Sequence, residues 1–379
     1  MRVLLNCISA VSGGGKTYLR NLSAPLFNEF INRKQHQLFF LLHLDQLEYF
    51  SEIPQTFVIL LNCQKPTGFT RIFWERLNLP KIVKDNKIDV LFTPYQVGLR
   101  IANIRNVLMI RNMEPFYFEN YKYSFNTWLR NKILAAASNY CLRNADRTIA
   151  VSRFAAAHLK RIGIPDQAIS MIYHGSPLFA SSLGNDSKRL ADLGINCSFV
   201  FTCGSMLPYR RYEDVISAFN SASLAIPTNT ILVIAGTGSD LEYKKMLIGM
   251  IANSPKPERI IMLGNVQWSD MAILYRNSIS CVIASEIEAC PNIALEAMTA
   301  GSCIIASDKP PLPEILDECA IFYPPRNISA LTHQIVCSIQ DNNKRYHYSL
   351  QAKQRAHYFS WSLSAIKTYE ALTNFRGIY

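Results

Sequence analysis

The chain has 379 residues, 49% of them apolar and 18% charged. That is enough apolar material for two packed domains, and it excludes a disordered chain. The formal charge of +11 comes entirely from residues 1–174, which hold 22 Lys and Arg against 11 Asp and Glu, while the remainder holds 17 of each. A basic first half points to an anionic partner: membrane lipid, a phosphorylated acceptor or nucleic acid. No apolar run reaches the roughly 18 residues of a membrane span. No apolar core with a small-residue cleavage site follows Arg2, so no signal peptide is expected. The ten cysteines (7, 63, 141, 197, 203, 281, 290, 303, 319 and 337) form no C-x-x-C pair. They read as free thiols of a reducing cytoplasm, with no zinc site.

In chain order, residues 2–9 (RVLLNCIS) read as a strand, and a helix is expected to start near Lys16, after a run of glycines. Short apolar runs at 37–43, 56–61, 89–93 and 106–111 predict further strands. Residues 70–87 carry a helical pattern that Pro80 should break into two short helices. A helix over 126–144 and a strand over 147–151 close the first half. Residues 174–198, rich in Ser, Gly and Asn, read as a linker holding one short helix. The alternation then restarts: strands at 198–203, 230–235, 259–263, 279–284 and 302–306, with helices at 212–224, 240–252, 270–276 and 291–300. A final helical stretch covers 345–375, its aromatics spaced for packing. This rhythm predicts an α/β protein with two doubly wound, Rossmann-like domains facing across a cleft. The boundaries are 1–177, with helix 360–379 packing back on it, and 178–359.

The strongest chemical signal is SEIEACPNIALEAMTAG at 285–301. Glu288 sits in the loop after a strand, and Glu296 in the first turns of the helix that opens after Pro291. Ligands of open α/β sheets bind at such strand ends. The amides at Asn292 and Ile293 form an anion site for a diphosphate, and a carboxylate accepts from the vicinal hydroxyls of a ribose or hexose. Taken singly, each acid reads as a solvated surface group; together they match a motif.

The segment resembles the E-x7-E signature of the retaining family 4 glycosyltransferases (glycosyl transferases group 1), which have the GT-B fold. In that family the first acid contacts the donor sugar and the second the nucleotide ribose, roles that the resemblance carries to Glu288 and Glu296. Cys290-Pro291 departs from the Phe-Gly common there. CGSMLPYRRYEDVISAF at 203–219 resembles the family's strand, G-(R/S)-x-x-P-x-K loop and helix. Arg210 stands at the usual Lys and would neutralise the leaving diphosphate bidentately. Ser205 stands where many members have Arg, so Arg211 is a second candidate. Gly204, Gly236 in AGTGSD and Val266 in LGNV complete the implied donor loops. AVSRF (150–154), IYHGSP (172–177) and HYFSW (357–361) match the family's interdomain segments.

The resemblance implies sugar transfer from a nucleoside diphosphate sugar to a hydroxyl, with retention. The acceptor would be a glycan or lipid-linked intermediate of bacterial surface polysaccharide synthesis. The donor is a co-substrate; no cofactor, metal or nucleic acid is expected. In this reading Gly13, Gly14 and Gly15 let backbone approach the donor. After the strand at 106–110 many relatives carry a His; this chain has Arg111-Asn112-Met113-Glu114, which makes Arg111, Asn112 and Glu114 the acceptor-site candidates. Two other classes remain open. AVSGGGKT at 10–17 lacks only the first glycine of a P-loop, which would make a nucleotide hydrolase or kinase. The missing His admits an inactive sugar- or nucleotide-binding subunit. Basic residues interleaved with Phe73 and Trp74 in 70–87 predict a peripheral, cytoplasmic contact with an anionic membrane.

Overall fold

The computed structural model describes residues 1–9, 13–61, 68–177, 179 and 186–375. Ala10, Val11 and Ser12 of the glycine segment, Cys63, and Leu178 at the expected domain boundary lie outside the described residues. The strands are β1 (Arg2–Asn6), β2 (Gln37–His43), β3 (Val58–Leu61), β4 (Val90–Thr93), β5 (Arg105–Ile110), β6 (Arg147–Ala150) and β7 (Ile169–Met171). They continue as β8 (Phe199–Cys203), β9 (Ile231–Ala235), β10 (Ile260–Gly264), β11 (Ser280–Ile283), β12 (Ile304–Ser307) and β13 (Ala320–Tyr323). The helices are α1 (Gly13–Arg33), α2 (Gly68–Asp85), α3 (Glu114–Tyr117), α4 (Phe125–Arg143), α5 (Arg153–Arg161), α6 (Asp186–Asp192) and α7 (Tyr212–Ala222). They continue as α8 (Leu241–Ala252), α9 (Trp268–Asn277), α10 (Asn292–Ala300), α11 (Leu312–Leu316), α12 (Ile328–Gln340), α13 (Asn342–Ala356) and α14 (Trp361–Thr373).

The chain divides into two units. The first is Met1–Met113, Lys132–Gly175 and Phe359–Tyr379; the second is Glu114–Asn131 and Ser176–Tyr358. The first holds a parallel sheet of order β3-β2-β1-β4-β5-β6-β7 and the second one of order β10-β9-β8-β11-β12-β13. Strands such as FFLL in β2 and ILVIA in β9 are apolar on both faces and fully buried, as a parallel sheet covered by helices requires. In each sheet the strand order reverses once, between β1 and β4 in the first and between β8 and β11 in the second. The carboxyl ends of those strand pairs are where open α/β sheets bind ligands.

In the first unit α14 lies against α1. Tyr369 meets Phe30 edge-on at 4.7 Å, and the Arg33 guanidinium sits 4.5 Å from the Tyr369 ring. Buried Arg147, on β6, donates to the carbonyls of Ala371 (3.0 Å) and Asn374 (2.5 Å), tying down the end of the chain. Hydrogen bonds from a charged donor contribute about 1.5–3 kcal/mol. Arg147→Ala should therefore speed amide exchange in α14 by about tenfold or more. Unchanged α14 protection, read by hydrogen-exchange mass spectrometry, would remove that role from Arg147.

Four expectations are corrected. The helix after the glycines begins at Gly13, so Gly13, Gly14 and Gly15 are its first residues and not a loop ahead of it. Pro80 does not split α2, which runs unbroken over Gly68–Asp85. Pro80 is exposed, leaving the carbonyl it cannot bond open to water, while buried Leu79 and Val83 anchor the helix on either side. The stretch 345–375 forms two helices, because Ser360 caps a fresh one, its hydroxyl accepting from Leu363 N. Residues 114–131 group with the second unit: the Tyr121 hydroxyl donates to Glu286 (2.7 Å) and Ser124 N to Asp240 (3.2 Å).

Candidate functional site

The second unit brings Arg210, Glu288 and Glu296 together at the reversal of its sheet. β8 ends at Cys203 and feeds the loop that turns through Pro208–Arg210 into α7. β11 ends at Ile283 and feeds the loop carrying Glu288 into α10. Gly236, after β9, packs so closely on this arrangement that a Cβ would stand 1.9 Å from the Gly204 carbonyl oxygen, and its φ of +129° excludes other residues as well. Gly236 N donates to Gly264 O at 2.6 Å, which draws in the strand end next to Val266.

The two acids are buried, at 8% and 7% exposure, and so are not the solvated surface groups that each would suggest taken singly. Arg210 Nη1 donates to Glu288 and, at 3.2 Å, to the Ser285 hydroxyl. Burial raises the pKa of Glu288, and the Arg210 charge opposes the rise. Burial is the largest single influence on Arg210 and works against its cation, but Glu288, Tyr209 and Tyr212 together outweigh it and hold Arg210 more firmly protonated than a free guanidinium. Among the described residues no cation forms an ion pair with Glu296: burial lifts its pKa to about 7, opposed by Tyr275, which donates to it at 2.8 Å, and by the more distant Arg210 charge. The Tyr275 hydroxyl also lies 2.9 Å from Cys203 Sγ.

Pro291 caps α10 without a side-chain acceptor, and no acid occupies the first turn. The helix start at Asn292 and Ile293 is thus electropositive toward an anion. Ser205 hydrogen-bonds the Tyr209 hydroxyl. Arg211 takes up a left-handed conformation (φ 54°) and is held by Glu213 (2.6 Å) and Asp214 (2.7 Å), so its charge serves the start of α7. Arg111 and Asn112 belong to the first unit, where Asn112 N and O both pair with the Gln96 amide (3.1 and 2.9 Å). Glu114 belongs to the second unit and accepts from Asn131 at 3.1 Å. Sequence reasoning missed Tyr275, Ser285 and Glu286. Tyr275 lies in AILYRN, a pattern that reads as helix core. Glu286 is gripped by Arg326 (2.8 and 2.9 Å) and Tyr121, fastening the loop two residues before Glu288.

Residues 195–355 match the family model of the glycosyl transferases group 1, and residues 12–178 that of glycosyltransferase family 4. The chain belongs to the family 4 glycosyltransferases. This family 4 chain is 24% identical over 235 residues to an uncharacterized glycosyltransferase of Methanocaldococcus jannaschii, covering 61% of this chain and 58% of that protein. It is 23% identical over 168 residues to O-antigen chain mannosyltransferase B of Escherichia coli, covering 44% of each. The matched region thus spans about half the length of these relatives. Among solved structures it resembles HepE of Anabaena in complex with UDP and glucose (TM-score 0.76, 18% identity, 98% of this chain and 99% of that one). It also resembles WaaG, a glycosyltransferase involved in lipopolysaccharide biosynthesis (TM-score 0.72, 14% identity, 99% and 100%). With the two parallel sheets, these likenesses give the GT-B fold. The family match includes Gly13–Lys16, so the glycines that resembled a P-loop fall within the glycosyltransferase pattern.

Proposed function

We propose that the protein transfers a sugar from a nucleoside diphosphate sugar to a hydroxyl of a glycan or lipid-linked acceptor, retaining the anomeric configuration, in surface glycan synthesis. The observation that carries this is the buried Arg210–Glu288 pair beside Glu296 and the start of α10, in the part that matches the family. On the face from which the diphosphate departs, its bond to the anomeric carbon breaks as the acceptor hydroxyl oxygen bonds to that carbon; the leaving diphosphate takes the bonding electron pair, gains negative charge and then accepts the hydroxyl proton. Arg210 and the α10 amides meet that charge, without a metal or cofactor in this scheme. Glu288 orients the sugar and Glu296 the ribose; the loops after β8, β9 and β10 hold the rest of the donor. Catalysis is then positioning and electrostatics. UDP and glucose in the HepE structure support the choice of a nucleotide-sugar donor. The test is donor consumption by the purified chain across UDP- and GDP-sugars, with Glu288→Ala as control and the product anomer read by NMR. Wild-type turnover no greater than that of the control would refute it.

We infer further that the first unit docks on an anionic membrane through α2. Phe73 (67% exposed), Leu77 (63%) and Ile72 (40%) stand open on this helix beside exposed Arg76, Lys81 and Lys84. Trp74 is half-buried and Arg71 is buried against Glu75, so the contact is narrower than the whole 70–87 segment. Each basic residue near such a surface contributes about 1 kcal/mol, screened within a Debye length. The chain should sediment with anionic vesicles at low salt, and changing Lys81, Lys84 and Lys87 to Glu should abolish this. A wild-type chain left in the supernatant at low salt would leave a soluble acceptor as the better choice. Among the described residues, no helix is long and apolar enough to cross a membrane.

A further inference from the structure

Arg111 lies just past β5, and among the described residues no acid neutralises it. Its guanidinium presses on the first turn of α1, where a Cβ on Gly15 would meet Nη2 at 2.4 Å and Nη1 at 2.6 Å. Nη1 is enclosed and has no hydrogen-bond partner. The Tyr95 ring lies 5.6 Å from Arg111 and, also at 5.6 Å, from Arg71. The two arginines differ in their partners. Arg71 is paired with Glu75 and donates to the Val97 carbonyl at 3.2 Å. Among the described residues Arg111 has no acid partner; burial is the largest influence and disfavours its charge, Arg71 disfavours it too, and Tyr95 and Tyr18 offset only part of this. α1 has no acid in its first turn either, so among the described residues its electropositive end meets the Arg111 cation without an acidic side chain beside it. A cation kept partly dry next to a helix N-terminus is unfavourable unless an anion joins both. The place is also a ligand position by topology, at the reversal between β1 and β4 of the first sheet.

We propose that Arg111 and the first turn of α1 form a subsite that selects an anionic group, a carboxylate or a phosphoryl, on one of the two substrates. The subsite deepens the transfer reading above and rests on it. A guanidinium offers either group a planar, two-pronged contact, and the glycines let backbone amides join it. A neutral hydroxyl there would leave the cation unmatched. The Gln96 amide, bonded to Asn112 on both sides of its peptide, fixes the backbone from which Arg111 projects. Asn6, on the neighbouring β1, is turned to Glu75 and so belongs to the Arg71 pair and not to this one.

The test uses the full chain and paired probes that differ in charge. Calorimetry compares UDP-glucuronate with UDP-glucose, which places the anion on the donor. With UDP present, NMR titration compares glucose 6-phosphate with glucose, which places it on the acceptor. The wild type should prefer at least one charged probe over its neutral counterpart by about tenfold or more. Arg111→Gln should remove that preference and Arg111→Lys should keep part of it. Gly15→Ala provides a control that keeps the arginine: its methyl displaces only the end of a flexible side chain, and Ala is a better helix former, so folding should survive while the preference falls. No preference in the wild type, or a preference that persists in both Arg111→Gln and Gly15→Ala, overturns the proposal. UDP affinity and UDP-sugar consumption by the wild type separate the two failures. If the wild type neither binds UDP nor consumes a UDP- or GDP-sugar, the transfer reading itself falls. If it does either and Arg111→Gln changes neither charge preference, only the anionic subsite falls.

Discussion

Arg210→Ala should lower kcat by about 100- to 1,000-fold, the loss seen when one donor to a developing oxyanion is removed, and should raise the donor KM far less. The asymmetry follows from timing: the diphosphate gains charge as the sugar departs, so the guanidinium is worth most in the transition state. The structure adds a second consequence. Glu288 is buried and Arg210 is its charged partner, so the substitution strands a carboxylate. Breaking such a pair from one side costs about 3–5 kcal/mol. Part of that is avoided if Glu288 takes up a proton, which burial without Arg210 favours, so the destabilisation should shrink as pH falls. Arg210→Ala combined with Glu288→Gln should recover stability without recovering kcat, while Arg210→Lys should keep the fold and part of the rate. Steady-state kinetics with varied donor, beside urea unfolding at pH 5 and 7.5, read both effects. An unchanged kcat in Arg210→Ala would move the leaving-group role elsewhere.

The strands were legible because both sheets are parallel and buried on two faces, so β2, β5 and β9 appear as continuous apolar runs bounded by polar turns. Glu288 and Glu296 were legible as a spacing, and the fold explains the spacing: a strand end, a short loop and the first turns of a helix. What the sequence hid were partners set by the third dimension. The Arg210–Glu288 pair joins residues 78 apart in sequence, and Tyr121 reaches Glu286 across 165 residues. Local rules failed where tertiary anchoring outweighed them. Pro80 is a helix breaker by propensity, yet buried Leu79 and Val83 hold α2 together around it. The glycines looked like a loop because glycine is a poor helix former, and yet they begin α1, where Gly15 leaves room for the Arg111 guanidinium. Arg211, the second candidate for the leaving-group role, also has partners that its spacing did not announce: Glu213 and Asp214 at the start of α7 hold it.

Glu296→Gln should weaken binding of the nucleotide sugar by about 10- to 150-fold, the equivalent of about 1.5–3 kcal/mol for a charge-assisted hydrogen bond. It should also erase a pH dependence that the wild type shows. Burial raises the Glu296 pKa to about 7, while the Tyr275 hydrogen bond and the Arg210 charge hold it down. Near neutral pH the carboxyl of the free protein is therefore partly protonated, and only the ionised form accepts from both ribose hydroxyls. Affinity should rise as pH increases through about 7 and then level off. Tyr275→Phe removes one of the groups that favour ionisation, so it should move that rise to higher pH. The same shift has an opposite consequence for folding. The unfolded carboxyl titrates near its ordinary value of 4.5 and the folded one near 7. Below 4.5 both states hold the proton and stability is unaffected; between the two values only the folded state holds it, and stability falls as pH rises; above 7 the penalty is constant. Glu296→Gln should thus be more stable than wild type at pH 8 and no more stable at pH 4, even as it binds donor less well. UDP-glucose is the suitable ligand for calorimetry, because its diphosphate, esterified at both ends, does not titrate between pH 5.5 and 8.5. Equal affinities for wild type and Glu296→Gln across that range would place the ribose contact on another residue.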